Sequence, residues 1–177
     1  MHAHGIVIII VIAMTRENSK PSMWAVAPPP ENEVERLDEI VRLGLADPVL
    51  GDGLSDFPAL ARAVTGYNIA LVSIVTDEKQ CFHAISGEFE TPSTPREISF
   101  CQFSILGDSV FEVPDTLVDP RFKKNPLVTG EPNIRSYAGA PLITSRGFAL
   151  GSLCVIDDEP KTLSSDQRDQ LMRLAGL

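Results

Sequence analysis

The sequence is short of several things that would announce a chemistry. Cysteine appears three times, at Cys81, Cys101 and Cys154, an odd number with wide spacings and no CxxC pair. That pattern argues against a disulfide scaffold or a zinc finger and fits reduced, mostly buried thiols in a cytoplasmic protein. Histidine also appears three times, and His83 is the sole one beyond the first four residues. No nucleophile elbow, P-loop or paired metal motif is present, so conventional catalysis has little support. Positive charge is scarce: 15 Lys and Arg stand against 24 Asp and Glu, a net charge of −9. A chain this acidic is poorly equipped to displace counterions from nucleic acid or to dock on an anionic membrane, so neither is an expected partner. Long apolar runs are missing too. The run GIVIIIVIAM at 5–14 covers ten residues, where a spanning helix needs about 20. It has no Lys or Arg in front and no clear small-residue cleavage site behind. It reads as a weak signal or anchor, as an extra strand, or as an extension upstream of a start at Met14 or Met23; its separateness from the rest of the chain favours the extension.

What is present suffices for one domain. The chain has 177 residues, 44% of them hydrophobic. Residues 1–30 read as an N-terminal extension, an apolar run followed by a disordered linker that ends in Pro28-Pro29-Pro30; residues 31–177 read as a single domain. A first helix is predicted near 31–45, with Val34, Leu37, Ile40, Val41 and Leu45 on its apolar face. A second is predicted over 55–64, capped by Ser55 and closed by Gly66. Strands follow at 69–75 and 81–86, and a short helix at 99–106 with Ser99 as its cap. A short strand at 110–113 comes next. Residues 114–132 carry four prolines and read as a long loop of the kind that forms a lid or binding segment.

The stretch 136–157 reads as a hairpin turned at Gly147. Its second arm is apolar at both alternating sets, which predicts a central strand with both sheet faces covered. Ala138, Gly139, Ala140, Gly151 and Ser152 leave space on this hairpin, for close packing or for a ligand lying against the strand. The final helix starts at Ser164, with Gln167 completing a capping box and Leu171, Leu174 and Ala175 as its stripe. The order of elements implies an α+β fold, an antiparallel sheet with its helices gathered on one face and a pocket on the other.

Several segments, taken together, resemble the GAF family of sensory domains, in particular the bacterial signalling type found ahead of histidine kinases and diguanylate cyclases. They are IALVSIVT (69–76), TPREISFCQFSI (94–105), VPDTLVDPRFKKNPLVT (113–129), IRSYAGAPL (134–142), and ALGSLCVID (149–157) with Thr162-Leu163-Ser164 and Gln167 behind it. The resemblance covers roughly 31–177. It implies a profilin-like antiparallel sheet of about five or six strands, with terminal helices on one face and a short helix and long loop over a small-molecule pocket on the other. It also implies a regulatory role, homodimerisation through the terminal helices, and a separate signalling effector such as a kinase or cyclase acting with what would be a stand-alone module or a fragment. The cofactor stays unknown. The NKFDE-type motif of the cyclic-nucleotide binders is absent, and Cys101-Gln102-Phe103 departs from the cysteine-histidine pair that anchors bilin.

The candidate ligand-binding residues are Phe100, Cys101, Phe103, Asp115, Arg121, Phe122, Tyr137 and Gly139. The aromatic rings offer flat apolar surface, or equally a small core. Arg121 is suited to clamp an anionic ligand, although pairing with a nearby carboxylate to hold the loop is the more economical role. Cys101, near the start of a short helix, is suited to a lowered pKa or to simple packing. Cys81 and His83 share a strand face, but no fourth metal ligand is evident. Two alternatives remain beside the sensory reading. One is a thiol-dependent free methionine sulfoxide reductase, which needs two sulfurs close enough to bond; the other is a structural dimer that binds nothing.

Overall fold

A strand without a polar face must be covered on both sides, and β6 (Ala149–Asp157) is hydrogen-bonded along both edges and buried along nearly its whole length. The computed structural model describes residues 23–48 and 54–176. The apolar run at 5–14 and most of the expected linker lie outside the described residues. The other strands are β1 (Ile69–Val75), β2 (Lys79–Ser86), β3 (Ser93–Pro95), β4 (Phe111–Val113) and β5 (Ser136–Ile143). They form one sheet in the order β3-β2-β1-β6-β5-β4, antiparallel at every pairing. The β5–β6 hairpin turns at Gly147, whose φ of 83° a side chain would strain.

Helices α1 (Glu33–Arg42), α2 (Asp56–Thr65) and α5 (Ser165–Ala175) cover one face of this sheet, meeting Ala70, Val72, Ile74, Leu153 and Val155. The short helices α3 (Cys101–Ser104) and α4 (Pro126–Thr129), with their flanking loops, cover the other and meet Leu71, Phe82, Tyr137, Cys154 and Ile156. The two sets alternate along each strand, as the period of two requires. Two register shifts break the alternation. Opposite Val72 and Ser73, His83 of β2 is the extra residue, and Ala84 joins the helix face while Phe82 stays on the other. Between Leu142 and Ile143 the shift lets Leu150 pack with Ile40 and Ile74 on the helix face. The capping box at the start of α5 is formed: Ser164 Oγ accepts from Gln167 N, and the Gln167 side chain accepts from Ser164 N.

Four expectations need correction. Val34 and Val41 do not face the sheet; each is 70% exposed, and the buried residues of α1 are Arg36, Glu39 and Ile40. The cause is the end of β1, where the Val75 carbonyl needs a donor that no valine can supply. Arg36 Nη1 reaches it at 2.6 Å, while Nε and Nη2 hold Glu33 at 2.8 and 3.0 Å. Second, residues 23–30 are not loose linker. Ala25 N donates to Arg121 O at 3.0 Å, Ala27 N to Gln102 Oε1 at 2.9 Å, and Trp24 Nε1 to Glu97 O at 2.9 Å. Third, residues 88–97, which lie between the expected strand at 81–86 and the expected helix at 99–106, contain β3, a three-residue edge strand ending at Pro95, where a missing N–H costs the ladder nothing. Fourth, the long loop contains α4, capped by Asn125 Oδ1, which accepts from Leu127 N at 2.9 Å.

Candidate functional site

On the face away from the three long helices, the aromatic residues gather into one stack. Phe100 lies parallel to Phe122 with ring centres 4.2 Å apart, and Tyr137 stacks on the other side of Phe100 at 5.2 Å. Phe103 meets the edge of Phe122 at 5.1 Å and stacks on Phe111 at 5.7 Å. The Arg121 guanidinium caps this assembly, 5.1 Å from the centre of Phe111 and 5.2 Å from that of Phe122. It is held there by Asp119: Nη2 and Nε donate to the carboxylate at 2.6 and 3.0 Å. That hydrogen bond pulls Asp119 below the usual carboxylate range and raises Arg121. Thus Phe100, Phe103, Arg121, Phe122 and Tyr137 come together. Asp115 does not join them; its Oδ1 accepts from Leu117 N and Arg135 Nη2 at the loop's edge. The cavity left between the stack, β2 and β6 is about 20 Å³, room for about one water molecule.

Beneath the rings lies a buried polar network. β1 places Ser73 beside Ser152 of β6, and β5 places Gly139 beside Cys154. Cys101, at the start of α3, drops its sulfur into this group. Ser73 Oγ and Tyr137 Oη each donate to Cys101 Sγ at 3.2 Å, and Cys154 Sγ lies 3.7 Å away. Ser104 Oγ bonds to Gly139 O at 3.1 Å and to Ser152 Oγ at 3.2 Å. Burial alone would push the Cys101 thiol up, but hydrogen bonds from Cys154, Ser73, Tyr137 and Ser152 outweigh it and hold the group below its ordinary value. Cys154 moves the other way, raised by its hydrogen bond to Cys101 and then by burial. Tyr137 is raised by burial and then by the sulfur charges, which keeps it a donor.

Gly139 is where this arrangement becomes possible. A Cβ built there would clash with Tyr137 Oη and stand 2.6 Å from Ser152 Oγ and 2.8 Å from Tyr137 Cζ. The space over this glycine is occupied by the chain's own tyrosine. Gly151 is simpler: a side chain there would run into the backbone of Ser73 and Ile74.

Cys81 and His83 are on the opposite side of the sheet from Cys101, bonded to the Ala46 and Leu45 carbonyls at 3.4 and 3.2 Å. Among the described residues, no group of three or more His, Cys, Asp or Glu side chains is placed to hold a metal ion. The sequence reading missed Phe111, Ser73 and Ser104, and singled out Ser152 for its small size alone. A signal existed for Ser73: it is the one polar residue in IALVSIV, and period two sets it on the Leu71 and Val75 side. Larger clefts lie elsewhere among the described residues. One, of about 540 Å³, opens at the end of the sheet between Arg62, Asn68, Glu131 and Asp158. Another, of about 370 Å³, is apolar and runs between Leu43, Leu54, Phe57, Ile143 and Leu174 on the helix face.

Comparison with known proteins gives this architecture its relatives. A cyclic di-GMP phosphodiesterase from Pseudomonas aeruginosa is 47% identical over 137 residues, which are 77% of this chain and 23% of that protein. The chain therefore spans about a quarter of the length of the curated relative it matches. The GAF domain of an Acinetobacter phosphoenolpyruvate-protein phosphotransferase superposes with a TM-score of 0.59 at 16% identity, over 82% of this chain and 89% of that one. A free methionine-R-sulfoxide reductase from Neisseria meningitidis, solved with its substrate, gives 0.57 at 15% identity over 86% and 90%. At such identities these structures speak to the fold alone. The family model for the GAF domain matches residues 52–177, from the start of α2 through the sheet to the end of α5, and the chain belongs to the GAF domain family.

Proposed function

We propose that the chain is a regulatory domain of a cyclic di-GMP signalling protein. It binds a small molecule between its sheet and the 114–135 loop and passes the bound state to its output partner through α1 and α5. The observation that carries this reading is the 47% identity to a stretch that makes up only 23% of a cyclic di-GMP phosphodiesterase. A part so small, built as a sheet with one functional face and one helical face, suits control of an activity housed elsewhere in the protein. The ligand-binding residues are Phe100, Cys101, Phe103, Arg121, Phe122, Tyr137 and Gly139, with Asp115 at the loop's edge. With about 20 Å³ free, the site is closed by the rings that line it, Phe100 and Tyr137 among them, so a ligand enters by displacing side chains while the loop stays tied through the Thr116 and Asn125 side chains.

The same reading makes α1 a dimer element. Val34 and Val41 are seven residues apart, two helical turns, and both are 70% exposed. Such a stripe is what a second copy of the helix buries.

The test is a graft of this chain in place of the matching segment of the P. aeruginosa relative. The graft is expected to hydrolyse cyclic di-GMP at a rate that Arg121→Ala and Phe122→Ala each shift several-fold, whereas the isolated chain hydrolyses none. Turnover by the isolated chain, or a graft indifferent to both substitutions, would overturn the proposal.

A further inference from the structure

The buried sulfurs are arranged asymmetrically. Cys101 Sγ accepts from Ser73 and Tyr137 at 3.2 Å each, while Cys154 Sγ, 3.7 Å away, is in contact with the Cys101 sulfur itself. One sulfur is thus set up as an anion and the other as its proton-bearing neighbour. A disulfide bond is about 2.05 Å long, so the pair must close by about 1.6 Å, within the reach of side-chain rotation and a small shift of a four-residue helix. The cavity of about 20 Å³ beside these sulfurs is also lined by Gln80 and Thr94. Gln80 Oε1 and Thr94 Oγ1 are buried there without a hydrogen-bond partner, 5% and 9% exposed as residues and facing each other across β2 and β3. Two orphaned polar atoms beside a buried thiol pair call for a small molecule that both donates and accepts hydrogen bonds.

We propose that Cys101 and Cys154 are an oxidation site for hydrogen peroxide, which converts them to an intramolecular disulfide. The Cys101 thiolate attacks one peroxide oxygen; the O–O bond breaks, the sulfur becomes a sulfenic acid and hydroxide leaves. Cys154 gives up its thiol proton and attacks the Cys101 sulfur; the S–S bond forms, the S–O bond breaks and the oxygen leaves as water. Two thiols and one peroxide thus become one disulfide and two waters. The bond draws α3 toward β6. Its next residue, Gln102, holds Ala27 N at 2.9 Å and Ser99 O at 2.8 Å, so the change reaches the segment leading into α1. This inference does not rest on the signalling role proposed above.

The test uses the purified chain, incubated with hydrogen peroxide, then denatured for thiol counting and peptide mass analysis. Free thiols are expected to fall from three per chain to one, and the mass by about 2 Da as two hydrogens are lost. The crosslinked peptides should contain Cys101 and Cys154, and a dithiol reductant should restore all three thiols. Cys81→Ser should leave the crosslink unchanged. Survival of all three thiols, a crosslink through Cys81, or conversion of Cys101 to sulfinic acid without a crosslink would overturn the proposal. Mapping on the unsubstituted chain keeps the test decisive even if Cys101→Ser fails to fold.

Discussion

Gly139→Ala is the substitution that separates space reserved for a ligand from space the fold already uses. The added methyl would stand 2.8 Å from Tyr137 Cζ, where ordinary contact begins at 3.4 Å, so the ring must retreat by about 0.6 Å. It has little freedom to do so. Tyr137 is 1% exposed, stacked on Phe100, and bonded through its hydroxyl to Cys101. Overpacking of this kind costs about 1–3 kcal/mol. A weakened Tyr137–Cys101 hydrogen bond adds about 1 kcal/mol. The lower entropy of alanine in the unfolded chain returns about 0.4–1 kcal/mol. The net expectation is a loss of about 1–3 kcal/mol, read in urea as a lower midpoint at unchanged m-value, or in heating as a fall of about 2–12 °C. The second half of the experiment is the double variant Gly139→Ala/Tyr137→Phe. Removing the hydroxyl removes the nearest clash and leaves the one at Cζ, so part of the loss should return as a coupling of about 0.5–2 kcal/mol. A neutral Gly139→Ala, or strictly additive single variants, would refute the reasoning and leave the space over this glycine open for something else.

Two further predictions concern the sheet end and α1. Asp157 accepts from Asn68 N at 2.9 Å, Glu159 N at 3.1 Å and Lys161 Nζ at 2.6 Å; burial would raise it, and these bonds outweigh burial and lower it below 3.8. Its contribution is therefore fully present above the unfolded aspartate value near pH 4 and is lost as pH falls through the depressed folded value. Asp157→Asn should cost about 1–3 kcal/mol at pH 7 and flatten the acid limb below pH 4; a urea midpoint that falls in parallel for both proteins through that window would contradict the assignment. For α1, Val34→Asp/Val41→Asp should convert a dimer to a monomer in sedimentation velocity while changing stability by less than about 0.5 kcal/mol, since both side chains are exposed in the single chain. A monomeric parent protein, or a variant that stays dimeric, would remove α1 from the interface.

The parts of this molecule that could be read in advance are those fixed by a local period. The apolar run of β6, the Gly147 turn and the Ser164–Gln167 box each depend on residues within about ten positions of one another, and each is found where those residues call for it. What escaped depends on partners far away in sequence. Nothing near Arg36 announces that the Val75 carbonyl, 39 residues on, will draw it inward and turn Val34 and Val41 out. The three residues of β3 are a strand because β2 offers them an edge.

The site shows the same division most sharply. Small residues on the hairpin signalled space, which is a local fact. What fills the space is settled by the pairing of β5 with β6 and the seating of α3. Together these bring Tyr137, Ser152 and Cys101 over Gly139 and set two of the three thiols in contact, with the third on the far side of the sheet. The ring that closes the cavity is also a donor to the more anionic sulfur, so packing and chemistry at this site cannot be changed independently. Anything that moves Tyr137, whether a ligand entering over Gly139 or a methyl placed there, withdraws a hydrogen bond from Cys101 and returns its pKa toward that of an ordinary buried thiol.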